Sequence, residues 1–258
     1  MPAMRLRQIA LVAAKREPVV EELCTVLGLK VCFNDPGVGK WGLVNALMPI
    51  GGNLLEVVAP VEENTSAGRY LERRHGDGGY MVILQCAEAL AERKRILGMG
   101  VRSVATAERG DYFYTQFHPQ DTGGILLTVD SVTPGADWQA EFCEWAPAGP
   151  DWKPAVQTHV TKALVGAEIQ SDDPPAMAER WSRILDLPVK QGDDGLRRMK
   201  LTNAELRFVP IGDGRGRGLG AIDVVAADRK HILQEAAKRG KKRSDNQVEL
   251  CGIRINLV

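Results

Sequence analysis

One carboxylate stands inside an otherwise apolar stretch, and it is the strongest candidate in the chain for acid–base chemistry. The stretch is GGNLLEVV, Gly51 to Val58, and the acid is Glu56. It recurs without a gap 72 residues later as GGILLTVD, Gly123 to Asp130, with Thr128 where Glu56 stood. A carboxylate surrounded by apolar residues has a raised pKa and is suited to take a proton from carbon. The second copy follows FHPQDT, in which His118 precedes a proline and is therefore held extended at the edge of a strand. His118 is a second, weaker acid–base candidate, and a surface turn histidine is the favoured alternative. Asp121, in the same turn, is expected to bond to the backbone of Gly123 and Gly124.

These residues need elements to hold them, and the repeat supplies those elements. LRQIALVAA reads as a strand. EPVVEELCTVLG reads as a helix, with Pro18 in its first turn and Gly28 at its end. LKVCFND, WGLVNALMPI and NLLEVVAP follow as strands. A second copy runs from GYMVILQC through the helix AEALAERKRILG to GILLTVD. A third copy starts at ALVGAEIQS and a shortened fourth at LGAIDVVAAD. Four βαβββ-like units in two pairs make an α+β protein. They divide it into a first domain at 1–133, a linker at 134–156 and a second, degenerate domain at 157–258. The linker carries Trp138, Trp145 and Trp152 among prolines and glycines. These tryptophans can anchor the linker or wall an apolar ligand.

Paired βαβββ units, together with HPQDTGGILLTVD and NLLEVVAP, resemble the vicinal oxygen chelate superfamily. That group includes glyoxalase I, methylmalonyl-CoA epimerase, extradiol dioxygenases and bleomycin-resistance proteins. The motif is most similar to methylmalonyl-CoA epimerases. The resemblance implies tandem vicinal-oxygen-chelate-like domains with side chains of the first and fourth strands in a shared cleft. In metal-dependent members those side chains bind the ion. Here the four positions are Gln8, Glu56, Met81 and Thr128. Met81 offers a soft thioether and Thr128 a neutral hydroxyl, so only Gln8 and Glu56 suit a hard divalent ion, and a catalytic ion takes about three protein ligands. No metal or other cofactor is therefore expected. The implied roles are Glu56 as base, with His118 a second catalytic candidate, and Gln8, Tyr80, Met81 and Thr128 as ligand contacts. In the second domain Arg207 occupies an equivalent position; it either meets an anionic ligand or pairs with Glu205 or Glu168.

The remaining features narrow the classes of function. Lys+Arg and Asp+Glu are both 33, which gives no support for nucleic-acid or anionic-membrane binding. No apolar run approaches the roughly 20 residues of a membrane span. The five cysteines are odd in number and irregularly spaced, which points to reduced thiols in a cytoplasmic protein. PGVGKWG lacks the phosphate-loop pattern and reads as a hairpin or cleft-edge loop. GDGRGRG reads as a flexible basic loop and KRGKKR as a solvated surface. The expected activity is proton transfer, of isomerase, epimerase or lyase type, on a small carbonyl compound or acyl-CoA thioester. The alternative is a metal-free protein that sequesters a small ligand, as bleomycin-resistance proteins do. A homodimer is compatible with the resemblance.

Overall fold

A computed structural model describes residues 3–132 and 137–258. The expected boundary between 133 and 134 lies outside the described residues. The first repeat comprises β1 (Arg5–Val12), α1 (Arg16–Leu27), β2 (Leu43–Ile50) and β3 (Asn53–Pro60), followed by α2 (Ser66–Arg74). LKVCFND is not a strand: only Phe33 bridges Leu47. PGVGKW is a short 3-10 helix, Pro36–Trp41, in place of the expected hairpin or loop. The second repeat is β4 (Gly78–Gln85), α3 (Ala89–Gly98), β5 (Ser103–Arg109), β6 (Tyr112–Phe117), α4 (Pro119–Thr122) and β7 (Leu126–Val132). The third is β8 (Thr161–Ser171), α5 (Pro174–Leu185), β9 (Val189–Gln191), β10 (Arg197–Lys200) and β11 (Glu205–Pro210). The fourth is β12 (Gly218–Ala226), α6 (Arg229–Lys238), β13 (Lys242–Ser244), β14 (Gln247–Leu250) and β15 (Ile253–Leu257). The α+β fold built from βαβββ-type repeats is thus the observed one.

The chain forms two compact units from non-contiguous segments. The first unit is Met1–Arg7, Tyr80–Ala146 and Gly166–Gly220; the second is Gln8–Gly79, Pro147–Val165 and Ala221–Val258. The second unit therefore groups most of the first and fourth repeats, and the first unit most of the second and third. Within the second unit β3 lies between β2 and β1, antiparallel to β2 and parallel to β1. Within the first unit β7 lies between β4 and β6, parallel to β4 and antiparallel to β6.

Each strand array packs one face on its own helix. In the second unit Leu23, Val26 and Leu27 of α1 are buried, and the Cys24 thiol meets the Met48 sulfur of β2 at 3.7 Å. Met48 sits one residue out of phase with Asn45, Leu47 and Glu56, because side chains alternate along a strand. Glu56 therefore lies on the face turned away from α1.

The linker is held by the residues it was expected to use. Trp145 and Trp152 are 1% and 0% exposed, so they anchor the chain. Beside Trp145, the buried Arg7 guanidinium stacks at 5.1 Å from the ring and donates to the Cys143 carbonyl at 2.9 Å. Arg5 donates to the Ala140 carbonyl at 2.7 Å. Burial pushes the Arg7 guanidinium down to about 10, where it stays charged at neutral pH.

The Gly123-Gly124 turn is built for close approach. Gly124 has φ of +96°, and a Cβ there would sit 3.0 Å from the Arg217 carbonyl oxygen, a backbone atom. Gly124→Ala combines a left-handed backbone with a clash that has no flexible partner. It is expected to destabilise the protein by about 1–3 kcal/mol, read as a lower denaturant midpoint at unchanged slope. Asp121 does not cap this turn. It takes bonds from the Arg102 backbone N–H and guanidinium, both at 2.9 Å, and Arg102 holds its carboxyl down at about 2. GDGRGRG is also tied down: the Gln170 amide donates to Asp213 at 2.6 Å and to the Gly216 carbonyl at 2.8 Å.

Candidate functional site

Glu56 sits at the centre of β3 and is 6% exposed. Its two oxygens accept from two neutral amides, Gln8 Nε2 at 2.8 Å and Asn45 Nδ2 at 2.6 Å. The strand register brings the three together. Gln8 lies opposite Leu54, two residues from Glu56 on the same face, and Asn45 lies opposite Val58, two residues beyond it. Such diagonal neighbours are within reach of long side chains. Asn45 is oriented in turn: its Oδ1 accepts from the Asp35 N–H at 2.8 Å, which leaves its amide nitrogen to face Glu56. Asp35 is fixed by accepting from the Gly37 N–H at 2.7 Å at the start of the 3-10 helix.

The electrostatics follow from this geometry. Among the described residues no lysine, arginine or histidine forms an ion pair with Glu56. Burial pushes its carboxyl above the usual range, the Asn45 and Gln8 bonds pull it partly back, and the negative Asp35 adds to the rise. The result is a desolvated carboxylate held by neutral donors, which keeps it basic.

The other expected site residues lie in the first unit. Met81 and Thr128 share one face of β4 and β7, where Met81 opposes Leu126 and Ile83 opposes Thr128; both are buried. Tyr80 is buried too, but strand alternation puts it on the opposite face from Met81. His118 is half-buried and caps α4: its Nδ1 accepts from the Gln120 N–H at 3.2 Å. Arg207 opposes Glu168 across β11 and β8 and donates to its carboxylate at 2.9 Å. The structure therefore brings Gln8 and Glu56 into contact and adds Asn45. Sequence reading missed Asn45, although a lone amide in the apolar stretch LVNALMPI was its signal.

Of the four positions, Gln8 and Glu56 carry oxygen atoms that suit a hard divalent ion. Gln8 turns its amide N–H towards Glu56, and both Glu56 oxygens are engaged by amide donors. The two further family positions hold a thioether and a neutral hydroxyl.

Comparison with solved structures places this architecture. The chain is similar to a hypothetical protein from Staphylococcus aureus, with 12% identity, 99% of each chain covered and a TM-score of 0.65. It is also similar to a mutant of 4-hydroxymandelate synthase from Streptomyces coelicolor, with 15% identity over 93% of this chain and 76% of that one, and a TM-score of 0.66. Methylmalonyl-CoA epimerase from Mycobacterium tuberculosis matches at 22% identity over 50% of this chain and 88% of that one, with a TM-score of 0.45. No curated protein matches the sequence. None of the helices is long and apolar enough to cross a membrane, among the described residues. The sequence model of the glyoxalase-like domain matches residues 9–185, so this chain belongs to the glyoxalase-like domain family.

Proposed function

We propose that the protein catalyses proton transfer, of isomerase, epimerase or lyase type, on a small carbonyl compound or acyl-CoA thioester, with Glu56 as base and no divalent metal. One observation carries this reading: a buried carboxylate held by two neutral amides and paired with no cation. A cation would depress its basicity, whereas desolvation and amide donors leave it able to accept a proton from carbon. In the reaction the C–H bond beside the carbonyl breaks, the proton passes to Glu56, and the electron pair moves onto the carbonyl oxygen. Hydrogen-bond donors then stabilise the enolate. For isomerisation Glu56 returns the proton at a conjugated position, and for epimerisation to the other face after the enolate has turned; in a lyase reaction the electron pair instead collapses from oxygen to form a C=C bond, and the β-substituent leaves with its bonding pair.

A second reading has its own support. Both Glu56 oxygens are already satisfied, and a satisfied acceptor suits a protein that binds a small ligand without turning it over. Thermal-shift screening with carbonyl compounds and CoA thioesters, combined with metal analysis of the purified protein, separates the possibilities. The proposal expects a stabilising ligand whose shift survives chelator treatment and which is converted on incubation. A stabilising ligand that is never converted supports the binding protein, and a stoichiometric divalent ion required for the shift overturns the metal-free account.

A further inference from the structure

Three arginines lie on the strands of the third repeat, and two of them have acids. Arg207 pairs with Glu168 at 2.9 Å, and Arg198 with Glu205 at 2.5 Å. Arg197, beside Arg198 on β10, forms no ion pair among the described residues. It points to the other face of the sheet, because side chains alternate along a strand. There it opposes the fully buried Phe208 of β11, and Met199, two residues on, is fully buried as well. Phe208 meets Trp181 of α5, so this face is the one that packs on the helix. A half-buried guanidinium therefore stands on the inner face of β10, where an aliphatic side chain would close the gap to α5.

That gap is open. A cleft of about 440 Å³ lies between α5 and the strands β9 and β10, large enough for a small molecule. Pro175, Ala178, Glu179 and Ser182, spaced i, i+3, i+4, i+7, form its helix wall. Val189 of β9, which opposes Met199, lines the sheet side together with Arg197. Arg183 of α5 also lines the cleft, and like Arg197 it forms no ion pair among the described residues. The Ser182 hydroxyl donates to the Leu187 carbonyl at 2.6 Å, so it is committed to the fold. Glu179 is the one acid in the lining, and it pairs with neither arginine. Two cations against one acid leave the cleft with a net positive charge.

We propose that this cleft is a binding site for a small organic oxyanion, a phosphate or carboxylate on a short apolar body, and that it uses no residue of the Glu56 site. A guanidinium presents its donors in a fixed fork that matches the oxygens of either group. Arg197 supplies one fork from the sheet and Arg183 a second from the helix. Pro175, Ala178 and Val189 carry the apolar body. Glu179 repels the anion and lowers its affinity, so it favours ligands with a single anionic group.

Phenyl phosphate and benzoate are the probes, with inorganic phosphate as the control for an adventitious ion only. Proton–nitrogen NMR of the arginine Nε–H groups in the unsubstituted protein should show saturable shifts at Arg183 and Arg197 with one or both probes. Tighter binding of phenyl phosphate assigns a phosphate ligand, and tighter binding of benzoate a carboxylate. Arg197→Gln and Arg183→Gln should each weaken the preferred probe by at least about tenfold, the loss of one hydrogen bond to a charged group. Glu179→Gln should strengthen it, since a like charge is removed. No saturable shift at either arginine, unchanged affinity in either arginine variant, or inorganic phosphate binding as tightly as the preferred probe would each overturn the proposal. The NMR arm needs no variant, so a misfolded substitution does not rescue it.

Discussion

Glu56→Gln is expected to lower turnover of an identified substrate by about 10²–10⁴-fold, the range that general-base catalysis supplies, while leaving the fold intact. The substitution keeps size and hydrogen-bonding capacity. Asn45 continues to donate to the remaining oxygen, since its own orientation is set by the Asp35 N–H. The Gln8 amide can turn its oxygen to the new N–H. Stability should move the opposite way to activity. Burial raises the folded-state pKa of Glu56 above 4.5. The native state therefore binds more protons than the unfolded state above that pH. By linkage, stability contributed at this site falls as pH rises from about 4.5 to the raised value, then levels off. A neutral glutamine removes that loss, so the variant should gain thermal stability relative to wild type as pH rises. Melting curves of the two proteins across pH 4–9 check this sign.

Trp181→Ala should be among the most destabilising single substitutions, at about 3–5 kcal/mol. Trp181 lies on the inner face of α5, is fully buried, and meets Phe208 of β11 edge-on at 6.0 Å. Its indole N–H donates to the Thr122 carbonyl at 2.9 Å. Thr122 ends α4, directly before the Gly123-Gly124 turn that leads into Thr128 and Asp130. Truncation thus opens a large cavity and leaves a buried carbonyl without its donor. Trp181→Phe keeps most of the apolar contact and loses the bond, so it should cost less, about 1–3 kcal/mol. Urea unfolding of the three proteins resolves the two contributions.

The architecture was legible because it is repeated. Gly51–Val58 and Gly123–Asp130 carry the same apolar pattern, and the i, i+4, i+7, i+8 faces of α1 and α5 fall where the repeat requires helices. The segment Leu29–Asp35 looked like a strand for the same reason, yet it pairs only at Phe33, since the chain turns there to set Asp35 against Asn45. Internal similarity also says nothing about which repeat packs on which, so the grouping of the first repeat with the fourth could not be read in advance. Glu56 and Gln8 were visible as polar residues in apolar strands. Asn45 was equally polar, but its contact with Glu56 depends on cross-strand register, which sequence spacing does not reveal.

Deuterium wash-in tests the central claim most directly. A carbonyl compound or acyl thioester that stabilises the protein is incubated in D₂O with chelator-treated wild type and with Glu56→Gln, and the carbon beside the carbonyl is followed by mass spectrometry. Wild type should incorporate solvent deuterium at that carbon at an enzyme-dependent rate, and Glu56→Gln should incorporate it at least 100-fold more slowly. Equal incorporation by both proteins, or incorporation that appears only when a divalent metal is restored, would contradict the account.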